Sequence, residues 1–302
     1  MLKTNVKQLV KIAIEGKVAP ALAYPNTVGH DGSVHNVPAL GGITYNVLVG
    51  DPAFGWEADH VEPGVSSILN HEKRNDRPNL AYNFLACAGN EAIVLTGNAK
   101  GSRGRVVGHH GGAEHVMLDF APAVLEKLSV DDRFQIRAFG QGLRLIEHPG
   151  VIVQSIDPEV ISRIGLVEKG GRIEVPVAGI IPGALMGSGL GSNHARSGDY
   201  DMMSSDRKAL ERNGLTDLRL GDIVAIKDHD ASFGWRYLEG AMVIGIVIHG
   251  DSHLSGHGPG IATIMTSPSG MIVPAISRSA NIGRCLSIGR FRKKTKSRNR
   301  SR

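Results

Sequence analysis

Leu218-Arg-Leu-Gly-Asp222 runs directly into Ile223-Val-Ala-Ile-Lys227, and this junction decides the reading of the chain. A tight turn rich in Gly and Asp delivers a short run of β-branched residues, the signature of a strand entered from a turn. The same lead-in stands at Leu128-Ser-Val-Asp-Asp132 before Arg133-Phe-Gln-Ile-Arg-Ala138. It stands again at Val167-Glu-Lys-Gly-Gly171 before Arg172-Ile-Glu-Val-Pro-Val177. Apolar and polar residues alternate in these strands, so each is expected to be half buried, as in small β-barrels. Ala241-Met-Val-Ile-Gly-Ile-Val-Ile248 is apolar throughout and reads as a fully buried strand. Helical signals are fewer. Residues 4–15 and Pro122–Leu128 read as short helices, and Asp157-Pro158 and Ser205-Asp206 read as helix caps. The expected fold is mainly β with a few short helices (a β-rich α+β chain), in a two-part architecture with small barrel-like elements.

Composition agrees. Glycine supplies 39 of 302 residues, about twice the usual share of about 7%, and aromatic residues only 5%. Many turns and few large side chains suit short strands better than a helical bundle. The last thirteen residues, Arg290–Arg302, hold eight Lys or Arg and no acid. Removing those eight charges from the formal +5 leaves a body of −3. The expected parts are an N-terminal β-rich domain (1–160), a C-terminal β-rich domain (161–289) and a basic, disordered tail (290–302). Such a tail makes weak, nonspecific contact with polyanions, and its lone aromatic, Phe291, argues against base stacking. Two cysteines, Cys87 and Cys285, exclude a disulfide framework and point to the cytoplasm. No apolar run is long enough to span a membrane. Self-association into a homo-oligomer is expected wherever strand edges need covering. A segment Asp51-Pro-Ala-Phe-Gly-Trp56 is echoed by Asp230-Ala-Ser-Phe-Gly-Trp235, a candidate duplication.

The chemistry-bearing residues cluster. Of 13 histidines, three fall in His249-Gly-Asp251-Ser-His253-Leu-Ser-Gly-His257, just after the apolar run 241–248. Alternation along an extended strand would project His249, Asp251 and His253 together, with His257 returning after a glycine turn. Imidazoles and carboxylates converging in this way bind Zn, Mn or Fe, or exchange protons. Asp228-His229-Asp230 and Asp199-Tyr200-Asp201 place further carboxylates two apart. His109-His110, with Glu114-His115, forms a glycine-flanked group without the spacing of a helical zinc site, and Asp59-His60-Val-Glu62 adds another acid–imidazole group. The loop Gly187-Ser-Gly189-Leu-Gly191 offers backbone amides to an anionic ligand, although it lacks the Lys-Ser/Thr of a P-loop. Cys87 lies among apolar residues and reads as core.

Several segments together resemble the family of bacterial and archaeal proteins described as domain of unknown function 4438. They are Asp59-His-Val-Glu-Pro-Gly-Val-Ser66, Gly89-Asn-Glu-Ala92, Lys100-Gly101 leading to His110-Gly-Gly112, Gly140-Gln-Gly-Leu143, Leu185–Gly191, Gly198-Asp-Tyr-Asp201 and Gly250-Asp-Ser252 with Ser255–Gly260. The resemblance spans about residues 20–285 and implies a mostly β, two-part fold without implying an activity. Asp251-Ser-His253 with its glycine-rich continuation is also similar to a segment of the formamidase and acetamidase family, metal-dependent enzymes that cleave small amides. The register departs after His253, where Gly256-His257-Gly258 replaces that family's Gly–acid–Gly–Glu pattern.

These readings lead to an expected metal-dependent hydrolase of a small, polar, amide-like substrate. The expected catalytic residues are His257, Asp251 and Asp230. The expected metal ligands are His249, Asp251, His253, His257, Asp228, Asp199 and Asp201. Gly187, Gly189, Gly191, His109 and His110 are expected to bind ligand. The competing class is a non-enzymatic small-ligand-binding or assembly protein.

Overall fold

The computed structural model describes residues 2–293. The chain is mainly β. In chain order its strands are β1 (Ile12–Val18), β2 (Thr27–Val28), β3 (Val34–His35), β4 (Val65–Ile68), β5 (Glu91–Val94), β6 (Arg103–His110), β7 (His115–Asp119) and β8 (Arg133–Ala138). They continue with β9 (Ile152–Val153), β10 (Val167–Lys169), β11 (Arg172–Val177), β12 (Gly179–Ile181), β13 (Tyr200–Asp201), β14 (Ile223–Asp230), β15 (Arg236–Val247), β16 (Gly260–Ser267) and β17 (Ile272–Ile276).

The first half closes into an antiparallel barrel in the order β1-β4-β7-β6-β5-β8, with β8 pairing back onto β1. Its interior is filled by Val65, Val94, Val106, Val116, Leu118, Phe134 and Ile136, all buried. Closure leaves no free strand edge within the barrel. The second half is built on a sheet in the order β12-β14-β15-β16-β13, and β9 also pairs with β16. A smaller sheet, β10-β11-β17, lies beside it.

The apolar runs 223–226 and 241–248 follow from burial of this sheet on both faces. Ile223 and Ala225 belong to one core, together with Val107 and Met117 from the outside of the barrel. Val224 and Ile226 belong to the opposite core, with Tyr200, Trp235 and the loop residues Ala53 and Val61. The barrel is thus joined to the second half by a shared apolar core.

All three turn-to-strand junctions form strands, β8, β11 and β14. In two of them the last Asp closes its turn by accepting a backbone N–H, Asp132 from Ser129 and Asp222 from Arg219, both at 2.8 Å. The caps also form: Asp157 accepts from Glu159 N–H, and Asp206 from Ala209 N–H. The expected helix over 4–15 does not form. Val6–Gln8 makes a single 3-10 turn, and Ile12–Val18 is the strand that closes the barrel. Pairing with β8 over six residues outweighs a weak local helix pattern.

The expected tail also begins later than its charge suggests. Arg290 grips Asp51 through two hydrogen bonds of 2.7 and 2.8 Å, and Arg292 pairs with the buried Asp119. Phe291 packs beneath the Arg284 guanidinium, 4.3 Å from its ring centre. Specific buried or bidentate partners fix these residues where a solvated run of like charge would not be held. The remainder of the expected tail, 294–302, lies outside the described residues. Among the described residues no helix is long and apolar enough to cross a membrane.

Candidate metal centre

The cluster of interest forms where the β6–β7 hairpin and the β3–β4 connection of the first half meet the segment around β13 and the β15–β16 connection of the second. A β-bulge decides which way the hairpin points its histidines. Val106 pairs with Leu118 and faces the barrel interior, but the register slips before Gly108, which pairs with Met117 on the outer face. The extra residue inverts the alternation, as bulges do. His109 consequently turns inward, where its Nε2 meets the Ala86 carbonyl. His110 turns outward toward the second half. Gly108 makes the close approach possible, because a Cβ there would press on Ile248 at 2.5 Å.

Each imidazole around His110 is oriented by a partner behind it. His110 Nδ1 lies 2.7 Å from Glu62 Oε1, and His115 Nδ1 lies 3.0 Å from Glu62 Oε2. Glu62 also accepts the Gly41 N–H at 2.8 Å and a short hydrogen bond from Ser66. Burial works against ionising Glu62, yet His115 and His110 outweigh it and hold the carboxyl well below the usual range. His249 donates Nδ1–H to the Gly250 carbonyl at 2.8 Å. His60 is paired through Nδ1 with Asp59. Its backbone is left-handed (φ 52°), held by a hydrogen bond to the Asp251 carbonyl. Such a conformation costs a non-glycine residue about 1–3 kcal/mol, and here it aims the ring.

With those nitrogens engaged, the remaining ones face carboxylates. His249 Nε2 is 2.8 Å from Asp199 Oδ2 and 3.6 Å from Asp201 Oδ1. His257 Nδ1 is 2.8 Å from Asp201 Oδ2, and His60 Nε2 is 3.6 Å from the same oxygen. His60 Nε2 and His257 Nδ1 are 3.2 Å apart. The His110 and His249 rings stack with centres 4.2 Å apart. Two groups of three are therefore able to hold a metal ion: His110, Asp199 and His249, and beside them His60, Asp201 and His257. Gly260 is part of this geometry, since a Cβ on it would lie 2.0 Å from Asp199 Oδ2 and 2.2 Å from His249 Nε2.

The electrostatics match an arrangement built for positive charge. Burial disfavours the His249 imidazolium, but Asp199 and Asp201 overcome it and raise its pKa well above the ordinary value. Burial likewise opposes His60, and Asp201 with Asp59 raises it. His110 goes the other way, lowered by burial and by its neighbour His249. Asp201 is held well below the usual carboxyl range because His249, His257 and His60 outweigh its burial.

A cleft of about 220 Å³ opens onto both groups, and of their six residues only His249 does not line it. It is lined by His60, His257, Asp201, Glu114, Ser188 and Trp235 among others. Glu114 is 7% exposed, its Oε2 has no partner, and burial raises its pKa.

The sequence-derived candidates divide. His249, Asp199, Asp201, His257 and His110 converge. The glycine loop borders the cleft, but Gly187 N–H is spent on the Asp201 carbonyl and Gly191 N–H on Trp235, so the loop braces β13 and does not present a ring of free amides. Asp251 is turned to Ser204 and Arg207. His253 stacks on His35 with ring centres 3.7 Å apart. Strand β15 ends at Val247, so the alternation that would have aligned 249, 251 and 253 does not apply. Asp228 sits at an irregularity of the β14–β15 ladder, between the pairs Lys227–Met242 and His229–Tyr237, with φ 57°. That irregularity separates it from Asp230, which is buried against Ser232, Thr266 and Arg236. His109 lies inside the barrel. His60, Glu62 and Glu114 carry roles that their acid–imidazole groups hinted at, whereas nothing local marked Gly260 as the residue that makes room for Asp199 and His249. Cys87 is buried, and burial pushes its thiol up to about 12.

These features define a two-part β protein with a buried His/Asp cluster able to hold metal, set at the junction of its halves. The chain belongs to the DUF4438 family: residues 26–162 match the domain of unknown function (DUF4438), N-terminal, and residues 163–286 match the C-terminal domain of the same name. It is similar to the crystal structure of TM1086, at 48% identity and a TM-score of 0.88, over 93% of this chain and 98% of that one. Comparison with the curated proteins gives no match.

Proposed function

We propose that this protein is a cytoplasmic, metal-dependent hydrolase of a small, polar, amide-like substrate. One observation carries the reading. His249 has given its Nδ1–H to a carbonyl, and its Nε2 then faces Asp199 Oδ2 at 2.8 Å, both atoms buried and without any other donor. Two acceptors do not meet in the dry interior unless a cation stands between them, either a proton or a metal. The carboxylate and carbonyl partners behind His60, His110 and His249 fix ring orientation and leave one nitrogen free, which is how metal-ligating imidazoles are supported. A divalent ion held there would polarise a substrate carbonyl and lower the pKa of a water.

The chain's own residues supply the rest. Glu114, buried at the cleft and with its pKa raised, is the group to take a proton from the attacking water and return it to the leaving nitrogen. Trp235 and the 187–191 loop wall the cleft and limit it to small molecules. The two free cysteines support a reducing, cytoplasmic setting.

The test is elemental analysis of protein purified without tag or chelator, followed by a screen of small amides and esters on protein reconstituted with Zn, Mn or Fe. Bound transition metal together with hydrolysis that EDTA abolishes is the expected outcome. A chain that takes up no metal overturns the reading and leaves a small-ligand-binding protein as the better one.

A further inference from the structure

We propose that the cluster is a two-ion centre in which Asp201 is the carboxylate shared between the ions, an inference that rests on the metal assignment above. An ion bound at about 2.1 Å brings all its donors within about 4.2 Å of one another. The donors here sort into two sets of three, each within 4.8 Å. His110, Asp199 and His249 form the deeper set, while His60, Asp201 and His257 form the outer one. One ion collecting all six donors would have to draw the two sets together.

Asp201 points its two oxygens to different sets. Oδ1 faces His249 at 3.6 Å, and Oδ2 faces His257 at 2.8 Å and His60 at 3.6 Å. Asp199 behaves differently. Its Oδ1 is taken by the Gly111 N–H at 2.7 Å, leaving only Oδ2 for a cation, so it serves the deeper set alone.

Charge favours two ions as well. Asp59, Glu62, Asp199 and Asp201 are each less than a tenth exposed. Their ion-pair partners among the described residues are histidines only, never Lys or Arg. Four buried carboxylates without a fixed cation are costly, and two divalent ions balance them. Two-ion centres of this kind clamp the attacking and leaving atoms of a hydrolytic displacement from both sides. The outer ion would meet the substrate first, because His257 is 32% exposed at the cleft while His249 is wholly buried.

Metal-free protein loaded with Mn(II), freed of excess ion and analysed for metal per chain and by electron paramagnetic resonance, tests this. Two Mn per chain with a spin-coupled spectrum is the expected result. His257→Ala and His60→Ala should each retain one ion and show an isolated six-line signal. One Mn per chain in the wild type overturns the two-ion centre while leaving the metal reading intact. Two Mn with only uncoupled six-line signals overturns the shared carboxylate. No Mn, with none of Zn or Fe taken up either, overturns the metal reading itself.

Discussion

The two halves of the cluster are built differently. In the deeper set the His249 side chain is wholly buried and Asp199 is only 5% exposed, and every ring has a partner fixing it from behind. In the outer set His257 is 32% exposed and stands at the edge of the cleft. A buried, fully oriented set binds through preorganisation, since nothing must be ordered when the ion arrives. An open set keeps access for a substrate at the cost of a looser hold. Under the proposed function, that contrast would give His249 and Asp199 mainly the holding of an ion and His257 mainly the contact with substrate.

The strongest challenge to that contrast is His249→Ala. It leaves Asp199 buried without its partner, a defect that costs about 3–5 kcal/mol, and it should abolish metal uptake at the deeper set. Urea unfolding and metal analysis check both. His257→Ala, being partly exposed, should cost about 1 kcal/mol or less in the same unfolding experiment; an equal loss at the two sites would erase the distinction.

Gly260→Ala comes next, because its methyl would enter the space between Asp199 and His249. Overpacking of this kind costs about 1–3 kcal/mol, and metal content should fall with it. Glu114→Gln sharpens the contrast from the other side. It should leave metal content and unfolding unchanged while lowering kcat for a small amide by about 10²–10⁴-fold. Glu62→Gln removes the orienting charge behind His110 and His115 and sets an amide NH2 against their donors or those of Gly41 and Ser66, so metal affinity should weaken by about 10–100-fold, as read by competition with a chelating dye.

The metal-free protein carries the same contrast in its pH dependence. His249 has a raised pKa in the folded chain, so its contribution is present below the ordinary imidazole value and is lost as pH rises through the raised one. Asp201 and Glu62 are depressed, so theirs is present above the ordinary carboxyl values and is lost as pH falls through the depressed ones. Tm of the metal-free chain should therefore be highest between the carboxyl and raised imidazole ranges. Added metal should remove the alkaline decline, because metal replaces the proton on His249.

Much of the molecule was legible locally. Turn chemistry announced β8, β11 and β14, the Asp caps announced two helices, and the apolar run 241–248 announced a buried strand, whereas β14, expected to be half buried, is buried on both faces because a core lies on each side of its sheet. Those signals are short-range: a hydrogen bond three residues back, or a period of two. Where partners are distant the local pattern misled. Residues 4–15 hold helix-compatible spacing, but β8, more than a hundred positions away, makes Ile12–Val18 a strand.

The site shows the same division. Residue types and clustering marked His249, His257, Asp199, Asp201 and His110, because converging imidazoles and carboxylates have few structural uses. What they could not show was aim. Inserting one bulged residue at Val107 sends His110 out of the barrel and His109 into it. A break in the β14–β15 ladder at Asp228, where φ is 57°, separates a pair of carboxylates two apart in sequence. Irregular chain beyond Val247 turns Asp251 to Arg207 and His253 to His35, while His60 enters from a loop almost two hundred residues before its neighbour His257. The sequence by itself determined the chemistry on offer and the kind of scaffold. Only the tertiary structure decided which side chains meet, because a strand's register inverts with a single residue and loop contacts are set by the packing of the two halves.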